Sequence, residues 1–471
     1  MTVTPAITRF APSPTGRLHL GNARTALFSY LLAHAAAGRF LLRIEDTDAI
    51  RSEASHEADL MEDLRWLGLA WDAGPDREAP EGPFRQSERG AVYAAQLDRL
   101  VNGGHAYPCF CTVGELEAER AAQRAAGRPP RYSGRCAALA AAEVARRVAA
   151  GEAHTLRFRM PARATLDFDD LVRGRQQFRA ADIGDFVIRR ADGSPAFFFS
   201  NAVDDALMGV THVLRGEDHI SNTPRQIALL RALDLPVPRY GHLPLVVGED
   251  AQPLSKRSDS LALGALRAAG YLPLAVVNHL ARLGHYYEDN ALAPLPALAR
   301  AFDLARVGRA PAQHDAARLT AWQREALGAL DMAALLAWAA PALGPVPAAE
   351  QPAFLQAVRD NVWLTEDVEY WVRAVYGEPL ALEGPARGAV EQAGGAFFAA
   401  AAELLDTHGT DFKALAAALK ARTGRKGKGL FQPLRAALTG TLEGPELAAL
   451  LPLIGTARAG ARFAAWCDQE D

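Results

Sequence analysis

Cysteine is scarce here, with four residues in 471. That excludes a disulfide framework, because small scaffolds held by disulfides carry cysteine densely. No apolar run reaches the ~18 residues of a membrane span. The longest candidate, Leu327 to Ala340, is broken by Asp331 and stopped by Pro341. The first residues, Met1 to Arg9, lack the charged start and apolar block of a secretory signal. An excess of one charge is missing too, since the formal net charge is −4. A polyanionic partner would have to be met by local basic patches rather than by a global field. These absences predict a reducing cytoplasm and no membrane partner. What is present is ordinary: 49% hydrophobic and 23% charged residues. That balance excludes wholesale disorder, collagen and coiled coil. At roughly 150 residues per domain the length suggests about three domains, with enough chain to bury several cores.

The first third reads as α/β. Ile7 to Ala11 has the character of a short strand. Pro12-Ser13-Pro14-Thr15-Gly16 cannot continue it, because proline removes ladder donors and favours turns. From Leu20 a helical period follows, with Leu20, Ala23, Leu27 and Leu31 on one face. Phe40 to Ile44 is a candidate buried strand, and Ser52 to Leu67 reads as helix, acidic at its start. Strand, helix, strand, helix implies a parallel, doubly wound sheet. Residues from about 109 to 195 change character and read as an insertion. In it, Thr155 to Met160 alternates as a half-buried strand does. The sheet pattern resumes at Val210 to Leu214, with a helix near Ser221 to Leu233 and a strand at Leu243 to Val247. Beyond about residue 260 only helical patterns follow, and from about 320 the chain reads as all-helical. Pro341 to Pro352, rich in alanine and proline, reads as a linker.

Two segments carry chemistry. Arg9 to Asn22 sits where the first strand feeds the first helix. There, free backbone N–H groups and the positive end of a helix face an anion. Gly16 and Gly21 permit close backbone approach, and His19 at the helix mouth can donate to a phosphate oxygen. No Gly-Lys-Ser/Thr follows, so this is not a P-loop. The plainer alternative is a proline-rich turn before a helix. The second segment is Pro253-Leu254-Ser255-Lys256-Arg257, a polar loop after a strand. Its lysine is a mobile point charge suited to a triphosphate, although such a loop alone is commonly just solvated surface.

Taken together, Pro12-Ser-Pro-Thr-Gly16 with His19-Leu-Gly-Asn22, and Leu254-Ser-Lys-Arg257 far downstream, resemble the HIGH and KMSKS signatures of class I aminoacyl-tRNA synthetases. The flanks narrow the resemblance to bacterial glutamyl-tRNA synthetases. They are Arg43 to Asp48, Val203-Asp204-Asp205, Leu214 to His219 with Asn222-Thr-Pro224, and Gly424 to Phe431 with Pro433-Leu-Arg435. The resemblance spans Arg9 to about Arg462. It implies a Rossmann-type nucleotide-binding catalytic domain with an inserted α+β subdomain, followed by all-α tRNA-binding domains. The implied division is 1–108 and 196–260 for the two catalytic halves and 109–195 for the acceptor-binding insert. A helical stem-contacting domain over 261–320 and an anticodon-binding domain over 321–471 would complete it. The implied reaction joins L-glutamate to ATP as glutamyl-adenylate, then to the terminal adenosine of tRNA(Glu), with tRNA(Gln) a further candidate. Mg²⁺ would accompany ATP, and the family is mostly monomeric.

The resemblance also assigns residues. His19, Gly21, Asn22, Ser255, Lys256 and Arg257 would be catalytic. Pro12, Thr15, Gly16, His19, Asn22 and Lys256 would hold ATP. Arg9, Ser13, Glu45 and Arg215 would hold glutamate. Arg9 and Arg215 read as carboxylate clamps, since arginine pairs with a carboxylate bidentately, and Glu45 reads as the ammonium partner. Each alone also fits a surface ion pair. Two departures stand out. Pro253 replaces the first lysine of the KMSKS loop, leaving Lys256 its charge and stiffening it. Phe197 stands where the family usually has tyrosine, so a hydroxyl contact is lost or supplied by Asn201. Alternatively, Phe197 to Phe199 are a buried strand.

Cys109, Cys111 and Cys136 lie in the inserted segment and are good Zn²⁺ ligands in a reducing compartment. Where some relatives have a histidine, two residues after the last cysteine, this chain has Ala138. Tyr132, four residues before Cys136, resembles the Cys-Cys-Tyr-Cys site of the related glutamyl-queuosine tRNA(Asp) synthetase. One structural zinc is the expectation, and free thiols from a decayed site are the alternative. Cys467 stands alone and reads as inert. Arg422, Arg425, Lys426 and Lys428 form the densest basic stretch and would contact tRNA phosphate. Three competing readings remain: a glutamyl-queuosine synthetase, which would end after the catalytic domain; a glutaminyl-tRNA synthetase, with a β-barrel C-terminal half; and a catalytically weak RNA-binding paralogue.

Overall fold

The structure is a computed structural model that describes residues 5–47, 54–161, 163–248, 250–254, 261–378 and 381–468. The chain forms two compact units, Met1–Leu266 with Val276–Arg318, and Arg267–Ala275 with Leu319–Asp471.

In the first unit Ile7–Phe10 (β1) pairs in parallel with Arg39–Leu42 (β2). Pro12 and Pro14 end the strand register, and helix Leu20–Ala35 follows. Its mouth is closed by His19, whose side chain accepts the Gly21 N–H at 3.2 Å. Gly38 returns the chain to β2. A Cβ there would sit 1.9 Å from the Ala6 carbonyl oxygen, so only glycine lets β2 start against β1. Next come Ala106–Cys109 (β3), Thr155–Phe158 (β4), the hairpin Thr165–Asp170 (β5) with Gly174–Arg179 (β6), and Phe186–Arg189 (β7). β3, β4 and β7 form an antiparallel sheet in that order. His212–Gly216 (β8) and Arg239–Leu243 (β9) pair in parallel. The Thr211 N–H donates to the Ile7 carbonyl at 2.9 Å, laying this pair beside β1. Parallel strands wrapped by helices match the doubly wound expectation.

In this unit two sequence expectations and one alternative are corrected. The strand placed at Leu243 to Val247 is instead β9, which ends at Leu243, and a separate short strand Val246–Val247 (β10). Pro244 divides them because it has no N–H to give a ladder. β9 was hard to see because its buried residues include Tyr240, Gly241 and His242 rather than a run of aliphatics. Second, Ala312–Gln313 (β11) pairs in parallel with β10, so the chain beyond 260 is not purely helical. Third, Phe197 to Phe199 are not strand but the first turn of helix Phe197–Leu207.

In the second unit the described residues are helices and connections, including Thr365–Tyr376, Gly395–His408, Phe412–Thr423, Lys428–Thr439 and Leu447–Ala464. One core joins them around Phe354, Val368, Phe398, Leu434 and Phe463. Leu343 and Val346 are buried in it. The stretch Pro341 to Pro352 is therefore packed structure rather than a linker. Pro341 and Pro352 open the short helices Ala340–Ala342 and Gln351–Val358, a position where proline costs no hydrogen bond.

Candidate active site and the residues around it

A cleft of about 470 Å³ opens in the first unit at the C-terminal ends of β1 and β8. In a parallel α/β sheet, ligands are expected at that end. The cleft gathers Arg9, Pro12, Ser13, Thr15, Gly16, His19, Gly21, Asn22, Glu45, Phe197, Asn201 and Arg215. Every described residue proposed from sequence for glutamate or nucleotide thus borders one cavity. Pro253 and Leu254 close one wall. Pro253 bridges back to Val247, and the Leu254 N–H donates to the Val246 carbonyl at 3.0 Å. Ser255, Lys256 and Arg257 lie outside the described residues.

The floor of the cleft is a buried network of charge. Arg9 Nε donates to Asp205 Oδ1 at 3.0 Å, and Arg43 Nη1 donates to the same oxygen at 2.7 Å. Arg43 Nη2 donates to Glu45 Oε1 at 3.2 Å, and the Asn201 amide donates to that oxygen too. Asp204 accepts from Arg89, Gln86 and Tyr93 at 2.6, 2.7 and 2.8 Å. Burial would push the Asp205 carboxyl up, but Arg9 and Arg43 outweigh it and hold it below its usual value. At Glu45 the balance reverses. Burial wins over Arg43 and Arg9 and raises the carboxyl.

Arg215 lines the same cleft and is 6% exposed. Its Nη2 donates to Thr223 Oγ1 and to Gln226 Oε1, each at 2.7 Å. Gln226 in turn donates to Asn201 Oδ1 at 2.8 Å. Arg215 Nη1 is buried with no hydrogen-bond partner among the described residues. Burial lowers its pKa to about 10, so the guanidinium remains charged at neutral pH. A charged, buried donor left over beside a cleft is a seat for an anionic oxygen. Phe197 is half-buried and sets its ring 5.8 Å from that of His219. Asn201 lines the cleft and is held at both ends, its amide donating to Glu45 and its oxygen accepting from Gln226.

The cysteines converge as well. The Sγ atoms of Cys109, Cys111 and Cys136 lie within 4.8 Å of one another. Tyr132 Oη is 3.4 Å from Cys109 Sγ and 3.5 Å from Cys111 Sγ, and it accepts the Cys136 N–H at 2.9 Å. The Arg157 guanidinium lies over the Tyr132 ring at 4.0 Å. Burial would raise the Cys109 thiol, but hydrogen bonding to Tyr132 and Arg157 brings it down to about 7. In the second unit the basic stretch joins two helices. Gly424 (φ 66°) ends helix Phe412–Thr423, and Gly427 (φ 57°) precedes helix Lys428–Thr439. Lys426 and Lys428 are exposed. Arg422 pairs with Glu403 at 2.6 Å, while Arg425 donates to the Ala393 carbonyl at 2.8 Å and lies over Phe397.

The family described as tRNA synthetases class I (E and Q), catalytic domain, matches residues 6–321. The family described as anticodon binding domain matches residues 391–467. A protein of Nitrosococcus oceani named glutamate–tRNA ligase 2 is 57% identical, with 100% of each chain covered. This chain belongs to the bacterial glutamyl-tRNA synthetases. An Alkalilimnicola ehrlichii protein named glutamate–tRNA ligase 2 is 55% identical over 96% of each chain. The solved structure of a glutamate-tRNA synthetase from Elizabethkingia anophelis matches with a TM-score of 0.88 at 28% identity, covering 99% of this chain and 100% of that one. A glutamate tRNA ligase from Elizabethkingia meningosepticum, in complex with its amino acid, matches equally well. A glutamyl-queuosine synthetase that ends after its catalytic domain would not account for the match at 391–467.

Within this synthetase the sequence left several site residues without a role. Arg43, Asp204 and Asp205 stood in family motifs but had none, and Gln226, His242 and Asp170 were not singled out. The available signal was charge inside apolar segments: Arg43 within Phe40 to Ile44, and Asp204-Asp205 within a helix that begins Phe-Phe-Phe. Buried charges are rarely left unpaired. No helix among the described residues is long and apolar enough to cross a membrane.

Proposed function

We propose that this chain is a glutamate–tRNA ligase that activates L-glutamate with ATP and esterifies it to the terminal adenosine of tRNA(Glu), with tRNA(Gln) the further candidate that aminoacylation decides. The observation that carries the amino-acid half is that Arg215, whose Nη1 has no hydrogen-bond partner, and Glu45 line one cleft. A ligand with a carboxylate at one end and an ammonium group nearby satisfies both. Arg9 supplies the second cation, and Asp205 fixes its orientation. One glutamate carboxylate oxygen attacks the α-phosphorus of ATP, and pyrophosphate leaves with the bonding pair. The adenosine hydroxyl of tRNA then attacks the acyl carbon and AMP leaves. Neither step needs a covalent enzyme intermediate, so positioning and charge neutralisation do the work.

His19 and the backbone at Gly21, at the mouth of helix Leu20–Ala35, sit where phosphate is best received. Pro12, Thr15, Gly16 and Asn22 shape the nucleotide end. Lys256, with Ser255 and Arg257, would meet the departing pyrophosphate. Mg²⁺ bound to the triphosphate would supply further charge neutralisation. Ser13 and Phe197 border the glutamate end.

The donor set of Cys109, Cys111, Cys136 and Tyr132 suits one tetrahedral Zn²⁺, because three sulfurs and one oxygen already converge. Lys426 and Lys428 are the exposed cations of the basic loop and would meet tRNA phosphate, with Arg422 and Arg425 beside them. The proposed division is a catalytic domain in two halves, 1–108 and 196–260, an acceptor-binding insert over 109–195, a stem-contacting domain over 261–320 and an anticodon-binding domain over 321–471. The proposed setting is a monomer in the cytoplasm, where tRNA and reduced thiols both occur.

The deciding experiment is aminoacylation with labelled glutamate on tRNA(Glu) and tRNA(Gln) transcripts at equal concentration. Charging of tRNA(Glu) is expected. Charging of both transcripts makes the enzyme non-discriminating. No charging of either at saturating glutamate and ATP would overturn the ligase reading.

A further inference from the structure

Arg215 is held by a chain of polar side chains that reaches well behind the cleft. Its Nε donates to His242 Nε2 at 3.2 Å. That contact selects a tautomer: Nε2 must be the bare nitrogen, so the ring proton sits on Nδ1. Nδ1 lies 2.5 Å from Asp170 Oδ2, the acceptor it needs. The other carboxylate oxygen, Oδ1, accepts the backbone N–H groups of Val172, Arg173 and His242 at 2.9, 2.7 and 3.2 Å. Asp170 is therefore fixed in one orientation at the end of β5. His242 and Asp170 are both buried, and Thr223 Oγ1 lies 3.0 Å from His242 Nε2. Burial keeps the ring below its ordinary pKa against the pull of Asp170, so the neutral form that can accept from Arg215 prevails.

We propose that Asp170 and His242 are positioning residues for glutamate: Asp170 locks the tautomer of His242, and that tautomer fixes the guanidinium of Arg215 in the wall of the cleft. The relay rests on the reading of Arg215 as a carboxylate clamp. His242 holds Nε while Thr223 and Gln226 hold Nη2, so Nη1 is the nitrogen with no hydrogen-bond partner. An arginine held at two of its three nitrogens loses little freedom on binding, which is where preorganised affinity comes from.

The test uses the full-length protein, the ATP–pyrophosphate exchange reaction with its tRNA present, and separate titrations of glutamate and ATP. D170N keeps the size and the Oδ1 contacts but turns a donating amide towards His242 Nδ1. The ring proton must move to Nε2, and an N–H then confronts the Arg215 Nε–H. The expected result is a rise in KM for glutamate of about tenfold or more. KM for ATP should stay within about twofold and kcat within about threefold. At position 242 the conservative pair separates the two nitrogens. H242Q retains an acceptor near Nε2 and should keep KM for glutamate near the wild-type value. H242N retains only the donor to Asp170 and should raise it as D170N does. Equal KM values for H242Q and H242N, or a D170N effect on ATP as large as that on glutamate, would overturn the relay. Should D170N fail to fold, the pair at 242 decides alone. R215K separates the two layers of the argument. If R215K leaves KM for glutamate unchanged, the clamp reading itself fails and takes the relay with it. If R215K raises KM while D170N and H242N do not, the clamp stands and the relay is overturned.

Discussion

Asp205 Oδ1 lies 3.0 Å from Arg9 Nε, with the two side chains 1% and 5% exposed, across 196 residues of sequence. The same oxygen accepts from Arg43, so one carboxylate holds guanidinium groups from β1 and from the segment that leaves β2. Asp205 thereby fixes the guanidinium of Arg9 in the wall of the cleft.

Replacing Asp205 by asparagine removes the charge, leaves buried Arg9 without its anion and leaves Arg43 with Glu45 and Asp204 only. Breaking a buried pair by removing one partner costs about 3–5 kcal/mol. D205N should therefore lower the urea midpoint at an unchanged slope, and KM for glutamate should rise with it as Arg9 loses its orientation. A stability within about 0.5 kcal/mol of wild type would show that the network carries far less than its burial implies.

The same carboxyl sets a direction for pH dependence. Its folded pKa is depressed, because Arg9 and Arg43 outweigh burial. A depressed carboxyl contributes stability that is fully present above its unfolded value, about 3.9. That contribution is lost as pH falls from there through the lower folded value. Urea unfolding at a series of pH values should show stability dropping on the acid side of about pH 4, and D205N should flatten that limb. An identical acid limb in both proteins would assign the loss to other carboxyls.

The cysteine cluster gives a prediction about metal content. Purified from zinc-replete cells, the protein should carry one zinc per chain by mass spectrometry, and C136S should carry none. Y132F keeps three thiols and loses the oxygen, so its zinc should transfer to a chelator at about tenfold lower competing concentration. Native protein without zinc would sink the site. Zinc retention unchanged in Y132F would keep the site and remove tyrosine from it.

Local chemistry made much of this architecture readable. The break after β1 follows from Pro12 and Pro14, and the helix from Leu20 follows from its apolar face. The motif residues then place the cleft. Non-local pairing was not readable. The partners Arg9 and Asp205, or Asp170 and His242, are far apart in the chain, and nothing local tells a buried aspartate from a surface one. Polar strands misled for the same reason. β9 carries His242 because Asp170, Thr223 and Arg215 supply its partners, so period and composition do not mark it. The reading of Pro341 to Pro352 as linker failed because proline and alanine also suit the first turns of short packed helices.

The basic stretch of the second unit separates into two kinds of residue, and the separation can be measured. Arg425 is turned inward, with its donor on the Ala393 carbonyl and its guanidinium over Phe397 at 5.1 Å. Removing it leaves a carbonyl unpaired and an aromatic face uncovered, a loss of about 1–2 kcal/mol. R425A should therefore lower thermal stability, and its effect on tRNA should follow from that loss. Lys426 and Lys428 are exposed, one before and one after Gly427, and their charge has no equivalent structural task. K426A and K428A should leave the melting temperature within about one degree, consistent with surface substitutions that change stability by at most ~0.5 kcal/mol. Each should weaken tRNA binding and reduce the slope of log Kd against log salt by about one phosphate contact. A K426A/K428A double variant with wild-type tRNA affinity and wild-type salt slope would place the phosphate contacts elsewhere on the helical unit. An R425A variant of undiminished stability that binds tRNA poorly would move Arg425 from the scaffold to the RNA.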